Sequence, residues 1–189
     1  MIDLLNEADR RELVDLARRA LEARVRRDRS PAVTCVGTLA LRRAVFVSIH
    51  RSGDLRGCLG RLTLDAPLGQ TIVHLAGVVA DSDPRFPAVS PLDLPYLQIE
   101  ISVLTTAREI ASVDEIEVGR HGLIVEDGHA RGLLLPQVAA ERGWKRETFL
   151  DQTCIKAGLP RDAWRKGARI LVFEAQVFGE DQSAGTAVI

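Results

Sequence analysis

The sequence predicts one α+β domain in which helices flank a mixed, largely antiparallel sheet, with two unequal lobes in one compact unit. Helix-like and strand-like hydrophobic patterns alternate along the 189 residues. Two pairs of predicted strands are joined by short turns, which is typical of antiparallel hairpins. The hydrophobic fraction of 46% is sufficient for a sizeable single core. We expect the domain to cover residues 5–180 and residues 181–189 to form a loose polar tail.

Each element follows from its own pattern. The first helix has one apolar stripe, Asn6 as its N-cap with Asp9 in a capping-box position, and a stop at Ser30-Pro31. The best strand, 96–104, alternates apolar and polar residues without a break. The full prediction is helices over 7–29, 67–80, 137–141 and 146–157 and strands over 39–50, 55–62, 96–104, 121–126, 131–135 and 169–178.

Composition narrows the classes of function. The formal charge is −1, and acidic residues interrupt the arginines of the first helix, so we expect no nucleic-acid partner. No apolar run approaches the roughly 20 residues that span a bilayer, and the acidic start is unlike a signal peptide. Three cysteines that form no C-x-x-C pair indicate a reducing compartment, and we expect a cytoplasmic protein without membrane segments.

The segment Leu-Arg-Gly-Cys-Leu-Gly at 55–60 is the strongest candidate site. Two glycines inside a strand pack no side chain, which indicates a bulge or a close approach to the backbone. Alternation places Arg56 and Cys58 on one face, where a guanidinium favours the thiolate needed for nucleophilic chemistry. In the other interpretation Cys58 is an ordinary buried cysteine, and Gly57 and Gly60 only allow tight packing against a helix.

Further candidates lie outside this segment, and each has a structural alternative. The rigid loop Asp83-Pro-Arg-Phe-Pro87 offers Arg85 for recognition of a carboxylate or phosphate, or Asp83 and Arg85 only tie the loop together. Glu100, on the polar face of a strand expected to be central, is either a buried general acid or base or a solvent-facing residue.

The second half of the chain adds three polar candidates. His121 lies beside a glycine at the start of a strand, as an acid–base group or as a local hydrogen-bonding residue. Gln137 near a helix N-terminus presents an amide to a ligand or caps the helix, and Lys156 near a helix C-terminus is stabilised by the helix dipole. The histidines have no metal-ligand spacing, so no metal site is predicted.

Several motifs in fixed order resemble the AMMECR-one domain family, whose prokaryotic members are named AmmeMemoRadiSam system protein A. These motifs are LRGCLG (55–60), a helix, DPRFP (83–87), ISVLT (101–105), GRHGL (119–123), LLLPQVA (133–139), Trp144, FL (149–150) and KAGL (156–159). The resemblance covers roughly residues 5 to 180 and departs from the usual family pattern at Leu59, where isoleucine is expected.

The resemblance implies an α+β fold of two unequal parts, with the LRGC segment beside a cleft. The positions that match the family's characteristic residues are Arg56, Gly57, Cys58, Gly60, Asp83, Arg85, His121, Gly122, Gln137 and Lys156. Members often accompany a Memo-type protein and a radical S-adenosylmethionine protein, which implies a shared pathway. The family has no firmly established reaction and implies no cofactor for this chain.

Two hypotheses follow. In the first, the chain is an enzyme or enzyme component that acts on a small anionic molecule, with Cys58 as nucleophile, Arg56 and Arg85 holding charge, and His121 or Glu100 moving protons. In the second, it is a non-catalytic binding or adaptor module for a Memo-type or radical S-adenosylmethionine partner. The sequence leaves the substrate, the cofactor and the oligomeric state open.

Overall fold

A computed structural model describes residues 5–180, and these residues divide into two compact units. The first unit comprises 5–103 and 176–180, and the second comprises 104–175. The predicted α+β class is confirmed, with the strands divided between two four-stranded sheets. The tail predicted at 181–189 lies outside the described residues.

The helices and strands follow one another in the order that the hydrophobic patterns predict, with one short strand in addition and the last predicted strand divided in two. The helices are α1 (Glu7–Arg26), α2 (Leu68–Val78), α3 (Pro136–Glu141) and α4 (Arg146–Lys156). The strands are β1 (Val45–Arg51), β2 (Asp54–Arg61), β3 (Leu97–Leu104), β4 (Arg108–Glu109), β5 (Gly122–Asp127), β6 (Ala130–Leu134), β7 (Arg169–Phe173) and β8 (Ala175–Gly179). The sheet of the first unit has the order β2-β1-β3-β8, and the sheet of the second unit has the order β4-β7-β5-β6.

The core of the first unit lies between one face of its sheet and helices α1 and α2. Strands β1 and β3 alternate, so every second side chain points into this core and the others point to the opposite face. The principal buried side chains are Leu13, Leu16, Leu21, Val45, Val47, Ile49, Leu68, Ile72, Ile99 and Ile101. We call the side of the sheet opposite this core the outer face.

Helix α1 begins as predicted and ends earlier. The capping box between Asn6 and Asp9 is confirmed by hydrogen bonds in both directions. The helix stops at Arg26, before the predicted stop at Ser30, because Arg27 adopts a left-handed conformation with φ of 62°. The amide N–H groups of Arg27 and Asp28 then donate to the last helical carbonyl oxygens, which satisfies the helix end.

Two predicted strands differ from the structure. The strand predicted from residue 39 begins only at Val45, because 37–40 form a 3-10 turn that buries Leu39 in the core. The strand predicted over 169–178 is two strands in different sheets, interrupted at Glu174. Glu174 and Thr105 instead exchange backbone and side-chain hydrogen bonds of 2.8 and 2.9 Å. No glycine or proline marks this interruption.

In the second unit, the hairpin of β5 and β6 packs against α4. Phe149 and Leu150 of α4 are fully buried in this core, together with Leu123 of β5. The helix and the sheet approach most closely at Gly132, where an added Cβ would lie 2.4 Å from the backbone nitrogen of Ala157. Only a residue without a side chain fits this contact.

We expect Gly132→Ala to lower the free energy of unfolding by about 3 kcal/mol, because the added methyl group meets backbone atoms that cannot move independently. The matched control is Gly77→Ala in α2, where the nearest atom is 3.8 Å from the added Cβ. The control should gain up to about 1 kcal/mol, because alanine is the better helix former. Denaturant titrations measure both changes, and equal effects would contradict this account of the packing.

Candidate functional site

The outer face of the first sheet carries a row of three polar side chains across three neighbouring strands. Cys58 of β2 is directly opposite Ser48 of β1, and Ser48 is directly opposite Glu100 of β3. Side chains that are paired in this way have Cβ atoms about 4.5–5.5 Å apart. All three residues are half-buried. A thiol, a hydroxyl and a carboxylate therefore line up across the sheet.

Strand β2 is at the edge of the sheet, and the loop after α2 binds the backbone of Cys58. The amide N–H of Cys58 donates a hydrogen bond of 2.9 Å to Oδ2 of Asp83. The carbonyl oxygen of Cys58 accepts a longer bond of 3.4 Å from Nη2 of Arg85. The loop thus occupies both backbone groups of Cys58 that a neighbouring strand would otherwise pair.

Asp83 is the centre of this arrangement. Its residue surface is only 4% exposed, whereas the side chain of Arg85 is 58% exposed. The Arg85 guanidinium donates to both carboxylate oxygens, from Nε at 2.9 Å and from Nη2 at 2.6 Å, and its backbone N–H donates at 3.1 Å. These bonds, with the Cys58 amide, hold the pKa of Asp83 well below its usual range, although burial opposes them.

Arg56 ties a second point of the same loop to β2. Its Nη1 donates a hydrogen bond of 2.9 Å to the carbonyl oxygen of Pro87. Asp83 and Arg85 hold the loop together, which is the structural alternative that the sequence left open. The Arg85 guanidinium, 5.4 Å above the ring of Phe86, nevertheless remains largely accessible beside Cys58. Recognition of an anion by Arg85 stays a prediction.

Packing explains both glycines of the segment. An added Cβ on Gly57 would lie 3.0 Å from the carbonyl oxygen of Val79, just after α2. An added Cβ on Gly60 would lie 2.2 Å from the ring of Phe46, which covers that position on the outer face. Packing alone therefore accounts for both glycines, and a role for them in ligand binding stays a prediction.

Two residues of the outer face were not singled out from the sequence. Ser48 joins Cys58 and Glu100 in register, and His50 follows two residues later on the same face of β1. A β-bulge between Ile49 and His50 leaves Arg56 as the extra residue of β2. The alternation of apolar and polar residues in β1 already placed Ser48 and His50 on one face. Only the strand pairing shows which polar residues of the other strands lie beside them.

The remaining candidates belong to the second unit. His121 is 5% exposed, and its Nδ1 accepts a hydrogen bond of 3.1 Å from the backbone N–H of Glu117. This is the local role that the sequence allowed, and a role in proton transfer stays a prediction. Gln137, the second residue of α3, is half-buried and makes no side-chain hydrogen bond within 5–180, so it does not cap the helix. Lys156 is exposed and ends α4.

Two other kinds of site are absent from the part of the chain that the structure describes. Between residues 5 and 180, no three His, Cys, Asp or Glu side chains are grouped so that they could hold a metal ion. None of the helices in the same range is long and apolar enough to cross a membrane. The three cysteines are free thiols, and Cys154 is fully buried.

We expect Asp83→Asn to destabilise the protein by about 1–3 kcal/mol at pH 7, because it leaves the guanidinium of Arg85 beside an uncharged partner. The lowered pKa means that ionised Asp83 stabilises the fold fully above its unfolded value of about 3.9. That stabilisation is lost as the pH falls further, so the difference between wild type and variant should shrink below about pH 4. Denaturant titrations of both proteins at several pH values measure this difference in the free energy of unfolding.

The control is Asp65→Asn. Asp65 makes a similar two-point contact with Arg61, at 3.0 and 2.5 Å, and its pKa is lowered to about 2 by that contact. This pair is exposed, so water replaces the lost bonds and the control should change stability little. Equal losses in the two variants would contradict the importance of the buried position of Asp83.

Comparison with known proteins shows the family of the chain. The AMMECR1 family profile matches residues 14–178. A Methanosarcina acetivorans protein is 40% identical, with 98% of each chain covered. A Methanothermobacter thermautotrophicus protein is 42% identical, with 94% of this chain and 97% of that protein covered. The crystal structure titled Uncharacterized Protein PH0010, from Pyrococcus horikoshii, aligns with a TM-score of 0.80 at 40% identity over 90% of both chains. The chain therefore belongs to the AMMECR1 family, as its ordered motifs predicted.

Proposed function

We propose that the outer face around Cys58 is a reactive site, and that the chain is an enzyme or enzyme component acting on a small anionic molecule. Cys58 supplies the nucleophilic sulfur, and Arg56 and Arg85 attract the negative charge of the substrate. Glu100 is the acid–base group on the same face. The free thiols suit a reducing, cytosolic setting.

The observation that carries the proposal is the clamp on the backbone of Cys58. Asp83 and Arg85 bind its amide and carbonyl groups, so the main chain is held while the thiol stays half-buried on the face that carries Ser48 and Glu100. Holding a nucleophile in one orientation is what covalent catalysis requires. A cysteine that served only packing would not require polar side chains in register beside it.

Cys58 should react with iodoacetamide in the folded protein faster than either other cysteine. Burial raises the pKa of the Cys154 thiol, so Cys154 should react only on unfolding. Cys35, which is half-buried, serves as the internal reference. Peptide mass spectrometry after timed labelling at pH 7 measures all three rates. Labelling of Cys58 no faster than that of Cys35 would overturn the proposal.

Replacement of the thiol tests the same proposal without a known substrate. Cys58→Ser should keep the unfolding midpoint within a few degrees, because only one half-buried atom changes. The variant should lose the fast-labelling site entirely. A variant that unfolds would instead identify Cys58 as a residue of the core.

A second proposal is that the chain docks onto a partner, namely a Memo-type or radical S-adenosylmethionine protein. A surface segment before β3 favours it, because Leu92 is 84% exposed and Tyr96 is 62% exposed. Arg51 lies 5.4 Å above the Tyr96 ring and forms an ion pair of 3.0 Å with Asp93. Exposed aromatic and aliphatic side chains beside an arginine are typical of interfaces.

The double variant Leu92→Ser and Tyr96→Ser should weaken binding of such a partner at least tenfold, because it removes the apolar contacts. Ile155→Ser is the control, since Ile155 is also exposed at 46% but belongs to α4. Biosensor titrations with the purified partner proteins measure the affinity. Unchanged binding by the double variant would exclude this surface.

A further inference from the structure

His50 has an unsatisfied polar atom next to the proposed reactive site. Its Nε2 is buried and makes no hydrogen bond with any residue in the range 5–180. Buried polar side-chain atoms are paired in the large majority of native structures, so an unpaired one needs a reason. One recognised reason is a catalytic role that is fulfilled only during the reaction.

The register of the sheet places His50 close to Cys58. Ser48 is directly opposite Cys58, and His50 follows Ser48 by two residues on the same face of β1. Such a diagonal pair has Cα atoms about 7–8 Å apart, which is within reach of an aromatic side chain. The bulge at Arg56 adds local twist at this point, and bulges are frequent where a side chain is re-aimed beside a site.

We propose that His50 is the proton acceptor for the thiol of Cys58, an inference that rests on the proposed function. When the sulfur attacks an electrophilic carbon, the S–H proton moves to Nε2 of His50 and the released electron pair forms the new S–C bond. With iodoacetamide as the probe, the C–I bond breaks and iodide leaves with its bonding pair. A neutral imidazole becomes an imidazolium in this step.

The charged groups around His50 suit this exchange. Glu100 of β3 is diagonal to His50, and a carboxylate favours the imidazolium that forms. Arg56 belongs to the side of Cys58, where positive charge favours the thiolate. Arg85 is largely neutralised by Asp83, so it opposes protonation of His50 only weakly. The remaining neighbours on β1 and β3 are Arg51, which is paired with Asp93, and the uncharged Ser48 and Gln98.

The test measures the rate of Cys58 alkylation by iodoacetamide between pH 5 and 9 in the full chain, read by peptide mass spectrometry. His50→Gln should lower the rate constant at pH 7 about tenfold or more, because an amide accepts no proton. In the wild type the rate should depend only weakly on pH while the imidazole is free to take the thiol proton. In the variant it should rise about tenfold per pH unit, because the thiol must then ionise before it reacts.

His74→Gln is the matched control, since His74 is exposed on α2 of the same unit and should leave the Cys58 rate unchanged. A rate of His50→Gln equal to that of the wild type, with Cys58 reactive in both, would overturn the role of His50 and leave the proposed function intact. A wild-type Cys58 that reacts only after unfolding would overturn the proposed function and this inference together.

Discussion

A strand at the edge of a sheet exposes a row of backbone N–H and C=O groups that no neighbouring strand pairs. In the first unit β2 is one of the two edge strands, and the buried carboxylate of Asp83 provides the acceptor for the amide of Cys58. Asp83 is itself fixed by Arg85, which donates to both of its oxygens. The ion pair of buried Asp83 with the largely exposed Arg85 therefore closes this sheet edge, fixes the loop after α2 and holds Cys58 in place.

The need to pair the exposed edge of β2 explains the polar residues of the LRGCLG and DPRFP segments together. Arg56 fastens the same loop at Pro87, while Gly57 makes room for the chain after α2. Most of these groups are therefore needed to build the edge, and a structural role does not exclude a chemical one. Whether Cys58 also has a chemical role depends on its thiol, because the hydrogen bonds with Asp83 and Arg85 use only the backbone of Cys58 and not its sulfur.

The hydrogen bonds that Asp83 and Arg85 make with the backbone of Cys58 do not explain the polar side chains of the outer face. Ser48 is paired with both Cys58 and Glu100, His50 is diagonal to Cys58, and Nε2 of His50 is a buried nitrogen without a partner in the described chain. In the proposed site, Cys58 is the nucleophile, His50 the proton acceptor and Glu100 the carboxylate, and neighbouring strands of one sheet carry all three.

The sequence by itself determined the α+β class, the order of the main elements and the capping box at Asn6. It also singled out the segments around Cys58 and Asp83 as candidate sites. These depend on local periodicity, capping and turn chemistry, which act over a few residues. Only the tertiary structure decided that Glu174 separates two sheets, that Asp83 binds the amide of Cys58, and that His50 is diagonal to Cys58 on the paired strand. The residues joined in these cases are 69 positions apart for Thr105 and Glu174, 25 for Cys58 and Asp83, and 8 for His50 and Cys58, and no local pattern encodes such pairings.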